Sequence, residues 1–214
     1  MIKKVKASLS EKILLIFLIL LGIIFFSFFF ITKNKCFFVE KIHLEKIKLK
    51  NYKNIVVMNV ECGNVIIELL PNISPNSVKR FKNLVEKGSY DNSAFYRVLK
   101  DTLIQAGDLE YGNINNINYF KVGSGKSGLG KLKSELNNKY EFKEGTLALA
   151  RGANLNTEDS EFFIILKDIP LFNGEFTPIG KVIYGLDALK KVKSAAKSEY
   201  VLRPDFINYF ELLK

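Results

Sequence analysis

Apolar residues along the chain fall into one long run and a series of short ones, and the difference in length separates two kinds of structure. Residues 13–31, ILLIFLILLGIIFFSFFFI, are 19 positions without a charge. As a helix this run would extend about 28 Å, against a hydrocarbon thickness of about 30 Å. It ends in Phe28, Phe29, Phe30 and Ile31 rather than in small residues, which predicts an uncleaved transmembrane helix over a secretory signal. From residue 55 onward the runs shorten to strand length. Residues 55–60 and 65–70 flank Cys62, Gly63 and Asn64, a hairpin pattern. Ser74 as N-cap and Pro75 at the first helical position precede Val78, Phe81, Leu84 and Val85 at helical spacing, and Gly88 ends the run, so a helix is expected to lie over a sheet. Residues 146–150 and 162–166 read as strands around a polar turn, 177–183 as a strand, 186–192 as a short helix after Gly185, and 205–213 as a closing strand. Short strands with two helices predict an all-β barrel.

Charge follows the same division. Residues 1–54 hold 11 Lys and 3 Glu, a net +8, which leaves 21 basic and 19 acidic residues, or +2, for the rest. The high pI therefore belongs to the amino-terminal segment, and nothing marks the folded domain as a binder of nucleic acid. The organisation expected is a basic tail at 1–12, a membrane helix at 13–31, a Lys-rich juxtamembrane linker at 32–54 and a folded domain at 55–214. The linker reads either as a helix on the membrane surface or as a solvated connector. Lys3, Lys4, Lys6 and Lys12 balance Lys33, Lys35, Lys41 and Lys46 across the helix, so the positive-inside count does not orient it. His43, the only histidine, lies in the linker, so neither a His-based triad nor a His metal cluster is available to the domain. Cys36 and Cys62 sit in unlike contexts, and no structural disulfide is expected within the domain.

Candidate chemistry lies where polar residues break apolar runs. Arg97 follows Phe95 and Tyr96 and precedes Val98 and Leu99, inside a strand, while Gln105 and Asp108 interrupt the next one. An unpaired guanidinium is costly to desolvate, so an Arg there either faces solvent or has a partner. The loop at 109–138 contains GSGKSGLGK at 123–131, which fits a dinucleotide or phosphate-loop pattern only in part. Phe120 stands where a phosphate loop needs Gly, and Gly128 and Gly130 follow where a helix should begin, so no nucleotide is expected.

The segments FYRV, IQAGD, GTLALAR, SEFFI and FTPIGKVIYGLD, in this order and spacing, are similar to the signature segments of the cyclophilin-type peptidyl-prolyl cis-trans isomerases. The match covers roughly residues 55–214, and the LAR form with the short loop before SEFF looks most like bacterial members. The resemblance implies a closed eight-stranded antiparallel β-barrel with a helix over each end. It also implies isomerase activity on X-Pro bonds without cofactor or metal, and proline-containing segments of folding proteins as partners. A monomer is expected. Anchored or exported members favour the extracytoplasmic, periplasmic side for the domain.

By the same resemblance Arg97 is the catalytic donor to the prolyl nitrogen and Gln105 orients it. The backbone N–H of Arg151 would hold the carbonyl before the proline. Leu103, Phe163 and Phe172 would floor the proline pocket, with Ala150, Glu161, Leu171 and Phe176 also along the bound peptide. Phe163 fits a plain core position equally well. Several positions depart from the family's pattern: Arg151 stands where Asn is common, Thr102 for an aromatic, Leu171 for Trp, Phe176 for His and Glu161 for Gln. Glu161 places a carboxylate that could tie up Arg97 in a salt bridge. Reduced isomerase activity and weak cyclosporin binding are therefore expected, and the alternative is a catalytically weak or silent module of the same fold that binds Pro-containing segments.

Overall fold

The computed structural model describes residues 8–33, 35–40, 47, 52–195 and 198–213. The tail before Ser8 and most of the linker at 41–51, with His43, lie outside the described residues, and so do the two readings of that linker. The chain divides into two units, Met1–Phe38 and Val39–Lys214.

In the first unit, helix α1 (Leu9–Lys33) begins with a reciprocal cap: the Ser8 N–H donates to Glu11 Oε2 at 2.6 Å, and the Glu11 N–H donates to Ser8 Oγ at 3.3 Å. Its apolar side chains are exposed over Leu9–Phe29, 21 residues with a mean hydropathy of 2.8, long and apolar enough to cross a membrane.

The second unit is built on strands β1 (Ile55–Val60), β2 (Gly63–Leu69), β3 (Arg97–Leu99), β4 (Leu103–Ala106), β5 (Thr146–Leu149), β6 (Phe162–Ile165), β7 (Thr177–Tyr184) and β8 (Ile207–Leu212), with helices α2 (Pro75–Glu86) and α3 (Leu186–Lys190). The eight strands form one antiparallel sheet in the order β3-β4-β6-β5-β7-β2-β1-β8. The sheet curls into a half-barrel, and the expected closure does not occur: its end strands β3 and β8 share no ladder. Among the described residues, isolated bridges at Ala94↔Phe206 and Arg97↔Tyr200 and single backbone hydrogen bonds such as Phe95 N–H to the Asp205 carbonyl span the gap. The segment before β8 cannot continue as a strand, because Arg203 takes a left-handed φ of 57° and Pro204 has no N–H to donate. Asp108 likewise falls beyond the end of β4, in the loop rather than in the strand.

Helix α2 buries Val78, Phe81, Leu84 and Val85, the positions its periodicity predicts. Phe81 meets Tyr90, Phe162 and Phe210 at centroid distances of 5.2, 5.5 and 5.4 Å, which seats the helix on the sheet. Its end is a Schellman turn, with Gly88 N–H on the Val85 carbonyl and Ser89 N–H on the Leu84 carbonyl. Its start differs from expectation. Ser74 is the N-cap residue, but its hydroxyl donates to the Pro178 carbonyl at 2.6 Å, tying the helix to β7. The free amides of Asn76 and Ser77 are met instead by the Glu135 carboxylate, at 3.1 and 2.8 Å. Burial alone would raise the Glu135 pKa, and the hydrogen bonds from Ser77 and Asn76 outweigh it and lower it. Neither cysteine is a free thiol; Cys36 and Cys62 are both disulfide-bonded, and Cys62 is the single cysteine of residues 55–214, so no disulfide lies within that span.

The glycine-rich loop is organised by side chains of the chain itself. Asp108, buried, accepts from the Glu110 and Tyr111 amides through Oδ1 at 3.1 and 2.8 Å, and from the Gly123 and Gly125 amides through Oδ2 at 2.7 and 3.0 Å. A Cβ on Gly125 would lie 1.9 Å from Asp108 Oδ1, so only glycine permits this approach. Farther along, the Ser127 amide and hydroxyl donate to Asp159, and Arg80 binds Asp159 together with the carbonyls of Leu129 and Gly130. Four amides of GSGKSG, those of Gly123, Gly125, Lys126 and Ser127, are thus turned onto carboxylates of the chain itself. Asp108→Ala should leave four buried or half-buried amides unpaired and lower stability by about 2–4 kcal/mol; a denaturant melt, with limited proteolysis reporting cleavage in 112–130, checks this.

Candidate active site

Side chains alternate across a strand, and paired residues on neighbouring strands share a face. The register pairs Arg97 with Gln105, Gln105 with Phe163, and Phe163 with Ala148. A guanidinium, an amide and a phenyl ring from three separate segments thereby stand in one row across β3, β4 and β6. The next row on that face is Leu99, Leu103 and Ile165. Phe162, one residue before Phe163, points to the opposite face and packs on Phe81. Loop residues cover the site face as well, so Leu103, Phe142, Ala148, Phe163 and Ile165 form a buried cluster with Phe172 and Phe176 packed against it. Burial on both faces explains why β5 and β6 read as continuous apolar runs rather than alternating ones.

Three rings define the apolar part. Phe163 lies edge-on to Phe172 and Phe176 at 5.8 and 5.1 Å, and those two stand 4.8 Å apart. Arg151 lies over the Phe176 ring at 5.0 Å and is held there by the Glu175 carbonyl at 3.0 Å and the Glu175 carboxylate at 3.4 Å. Leu171, in contrast, is 85 % exposed and lies outside the cluster. Beside these residues is a cavity of about 130 Å³, lined by Gln105, Ala150, Arg151, Asp159 and Glu161 among others.

The polar part is a chain of hydrogen bonds. Arg97 Nη1 donates to Gln105 Oε1 at 3.0 Å. Gln105 Nε2 donates to Glu161 Oε2 at 3.0 Å and to the Tyr96 hydroxyl, which donates in turn to Glu161 Oε2. Burial pushes the Tyr96 phenol well above its usual pKa, with the nearby Glu161 charge adding to the effect, so it keeps its proton and remains a donor at neutral pH. Burial also raises the Glu161 pKa, against the bonds from Tyr96 and Gln105. The salt bridge foreseen between Glu161 and Arg97 is not made. Glu161 is occupied by Tyr96 and Gln105, and the carboxylate on Arg97 is that of Glu199, whose Oε2 accepts from Nε–H at 2.8 Å and stands 2.8 Å from Nη2 as an ion pair. Two guanidinium N–H groups are thus hydrogen-bonded, and the others, on Nη1 and Nη2, keep no hydrogen-bond partner among the described residues.

Of the residues singled out in the sequence, Arg97, Gln105, Leu103 and Phe163 come together on one sheet face, Phe172 and Phe176 pack on them, and Ala150, Arg151 and Glu161 line the adjoining cavity. Tyr96 and Glu199 were missed. Tyr96 is legible in hindsight, being the polar-tipped ring next to Arg97, whereas nothing in the local pattern around Glu199 signals a partner 102 positions away.

Known proteins align with this architecture. The model of the family described as cyclophilin type peptidyl-prolyl cis-trans isomerase/CLD matches residues 55–209. A probable peptidyl-prolyl cis-trans isomerase of Brucella suis is 37% identical over 158 residues, which is 72% of this chain and 80% of that protein. A peptidyl-prolyl cis-trans isomerase of Acinetobacter baylyi is 33% identical over 150 residues, 68% of this chain and 74% of that one. Among solved structures, a cyclophilin-type isomerase of Cryptosporidium parvum, crystallised in the presence of the dipeptide Ala-Pro, superposes with a TM-score of 0.64 at 26% identity, covering 75% of this chain and 99% of that chain. A cyclophilin of Hirschia baltica shares the fold with a TM-score of 0.64 at 18% identity, covering 81% of each chain. With the family model running from the first strand of the sheet into the last, the chain belongs to the cyclophilin-type peptidyl-prolyl cis-trans isomerases.

Proposed function

We propose that the row formed by Arg97, Gln105 and Phe163 is the catalytic centre of a membrane-anchored isomerase that acts on X-Pro bonds of folding proteins. The observation that carries this reading is the register itself, which sets a charged donor beside an apolar ring cluster. An amide resists rotation by about 18–20 kcal/mol, and X-Pro bonds isomerise unaided over tens to hundreds of seconds. Twisting the bond breaks resonance and returns the lone pair to the prolyl nitrogen. A donor at that nitrogen binds the twisted state more tightly than either planar isomer, which is the differential binding that catalysis needs.

The Arg97 N–H groups that have no hydrogen-bond partner among the described residues supply that donor. Gln105 fixes the guanidinium from below, and Tyr96 and Glu161 fix Gln105. The ring enters against Phe163 and Phe172, with Leu103 beneath, while Ala150, the Arg151 backbone, Leu171 and Phe176 border the peptide on either side. That the Cryptosporidium parvum isomerase was crystallised in the presence of the dipeptide Ala-Pro supports a proline ligand.

The apolar α1 supports a single-pass anchor, and the disulfide-bonded state of both cysteines supports an oxidising, extracytoplasmic compartment for the domain. Protease added to spheroplasts expressing the full chain should remove the domain and leave α1 behind; a protected domain would put it in the cytoplasm.

In a proline-peptide isomerisation assay, Arg97→Ala should lower kcat/KM by about 100-fold or more, and equal rates for the two proteins would remove the catalytic role. Glu161 gives a pH signature. Its raised folded pKa means that the folded state binds the proton more tightly than the unfolded one, so its contribution is full below the ordinary glutamate pKa and is lost as pH rises through the raised value. Glu161→Gln removes the titration. The melting temperature of the variant relative to wild type should therefore climb as pH rises above the ordinary glutamate pKa and through the raised one, and a flat difference would contradict it.

A further inference from the structure

We propose that Glu199 is a positioning residue for the isomerase reaction, holding the Arg97 guanidinium from the side opposite Gln105; this rests on the catalytic role given to Arg97 above. The two acceptors bracket the group. Gln105 Oε1 takes one N–H of Nη1 at 3.0 Å, and Glu199 Oε2 takes Nε–H at 2.8 Å and pairs with Nη2 at 2.8 Å. A guanidinium gripped at both edges cannot rotate about its last side-chain bonds, and the N–H groups left over then have one fixed direction. That is the preorganisation a donor to a transient lone pair requires.

Glu199 can impose such an arrangement because its own backbone is fixed. The Val98 N–H donates to the Glu199 carbonyl at 2.8 Å, and the Val201 N–H donates to the Tyr96 carbonyl at 2.9 Å. Tyr200 bridges Arg97 and stacks on the Tyr96 ring at 6.3 Å. Residues 199–201 thus lie along the free edge of β3, and the carboxylate is delivered from a bound edge segment rather than from a loose loop. The same edge stays without a full ladder because the half-barrel does not close there, so the positioning contact occupies the seam of the fold. Glu199 is half-exposed and Arg97 is 28% exposed, which makes the contact sensitive to salt.

The test uses the full chain in detergent. Peptide isomerisation kinetics are measured for wild type, Glu199→Ala and Glu199→Gln, alongside melting temperatures and the Arg97 Nε–H signal in nitrogen-edited NMR. Glu199→Ala should melt near the wild-type temperature, lose the downfield Nε–H signal, and lower kcat by roughly threefold to tenfold with KM little changed. Glu199→Gln keeps an acceptor oxygen without the charge and should fall between the two. Added salt should bring the wild-type rate toward that of Glu199→Ala and leave the variant flat. An unchanged or increased kcat in Glu199→Ala, beside an active wild type, overturns the positioning role and leaves the isomerase reading standing. A wild type that does not accelerate isomerisation overturns both.

Discussion

Antiparallel register between β3, β4 and β6 is the constraint on which the site depends. A one-residue slip in either pairing would send Arg97, Gln105 or Phe163 to the α2 face and bring Val98, Ile104 or Phe162 to the site. The cost of such a slip is set by the opposite face, where Phe162 is locked among Phe81, Tyr90 and Phe210. The aromatic core under α2 therefore keeps the row of Arg97, Gln105 and Phe163 in place from the opposite face of the sheet. Packing energy on one side of a strand secures alignment on the other.

Carboxylates do the complementary work in the loops. Asp108 and Glu135 each gather two or more backbone amides, and Asp159 takes the amide and hydroxyl of Ser127 together with Arg80. Buried amides must be paired, and a carboxylate can accept several at once, so a few acidic side chains organise the long irregular stretch between β4 and β5. Glu161 and Glu199 differ in that they serve side chains. One buttresses Gln105 through Tyr96, and the other meets the guanidinium directly. A near-neutral domain thus uses its acidic residues as internal connectors.

Membership of the cyclophilin-type isomerases is carried by the family match over residues 55–209, and several positions around the ring cluster shape this chain's own version of the site. Glu161 in place of Gln adds a group whose protonation depends on burial. Phe176 in place of His completes a three-ring cluster with Phe163 and Phe172 and takes the Arg151 side chain onto its face. Leu171, where an aromatic is frequent, stands in solvent.

What the sequence by itself determined were the features written in local periodicity and local chemistry: the apolar span of α1, the amphipathic α2 with its glycine stop, the short strands, and the break of Arg97 and Gln105 into apolar runs. Family resemblance then related those runs to a site. The tertiary structure alone decided the rest, because it turned on distant partners. The carboxylate beside Arg97 is Glu199 rather than Glu161, the cap of α2 is Glu135 rather than Ser74, and the glycine-rich loop wraps Asp108. The barrel stays open because Arg203 and Pro204 break the strand that would have closed it. Periodicity reports which face a residue occupies, but a hydrogen bond or ion pair depends on which chain segments that face brings within about 3 Å, and only the folded register sets that distance.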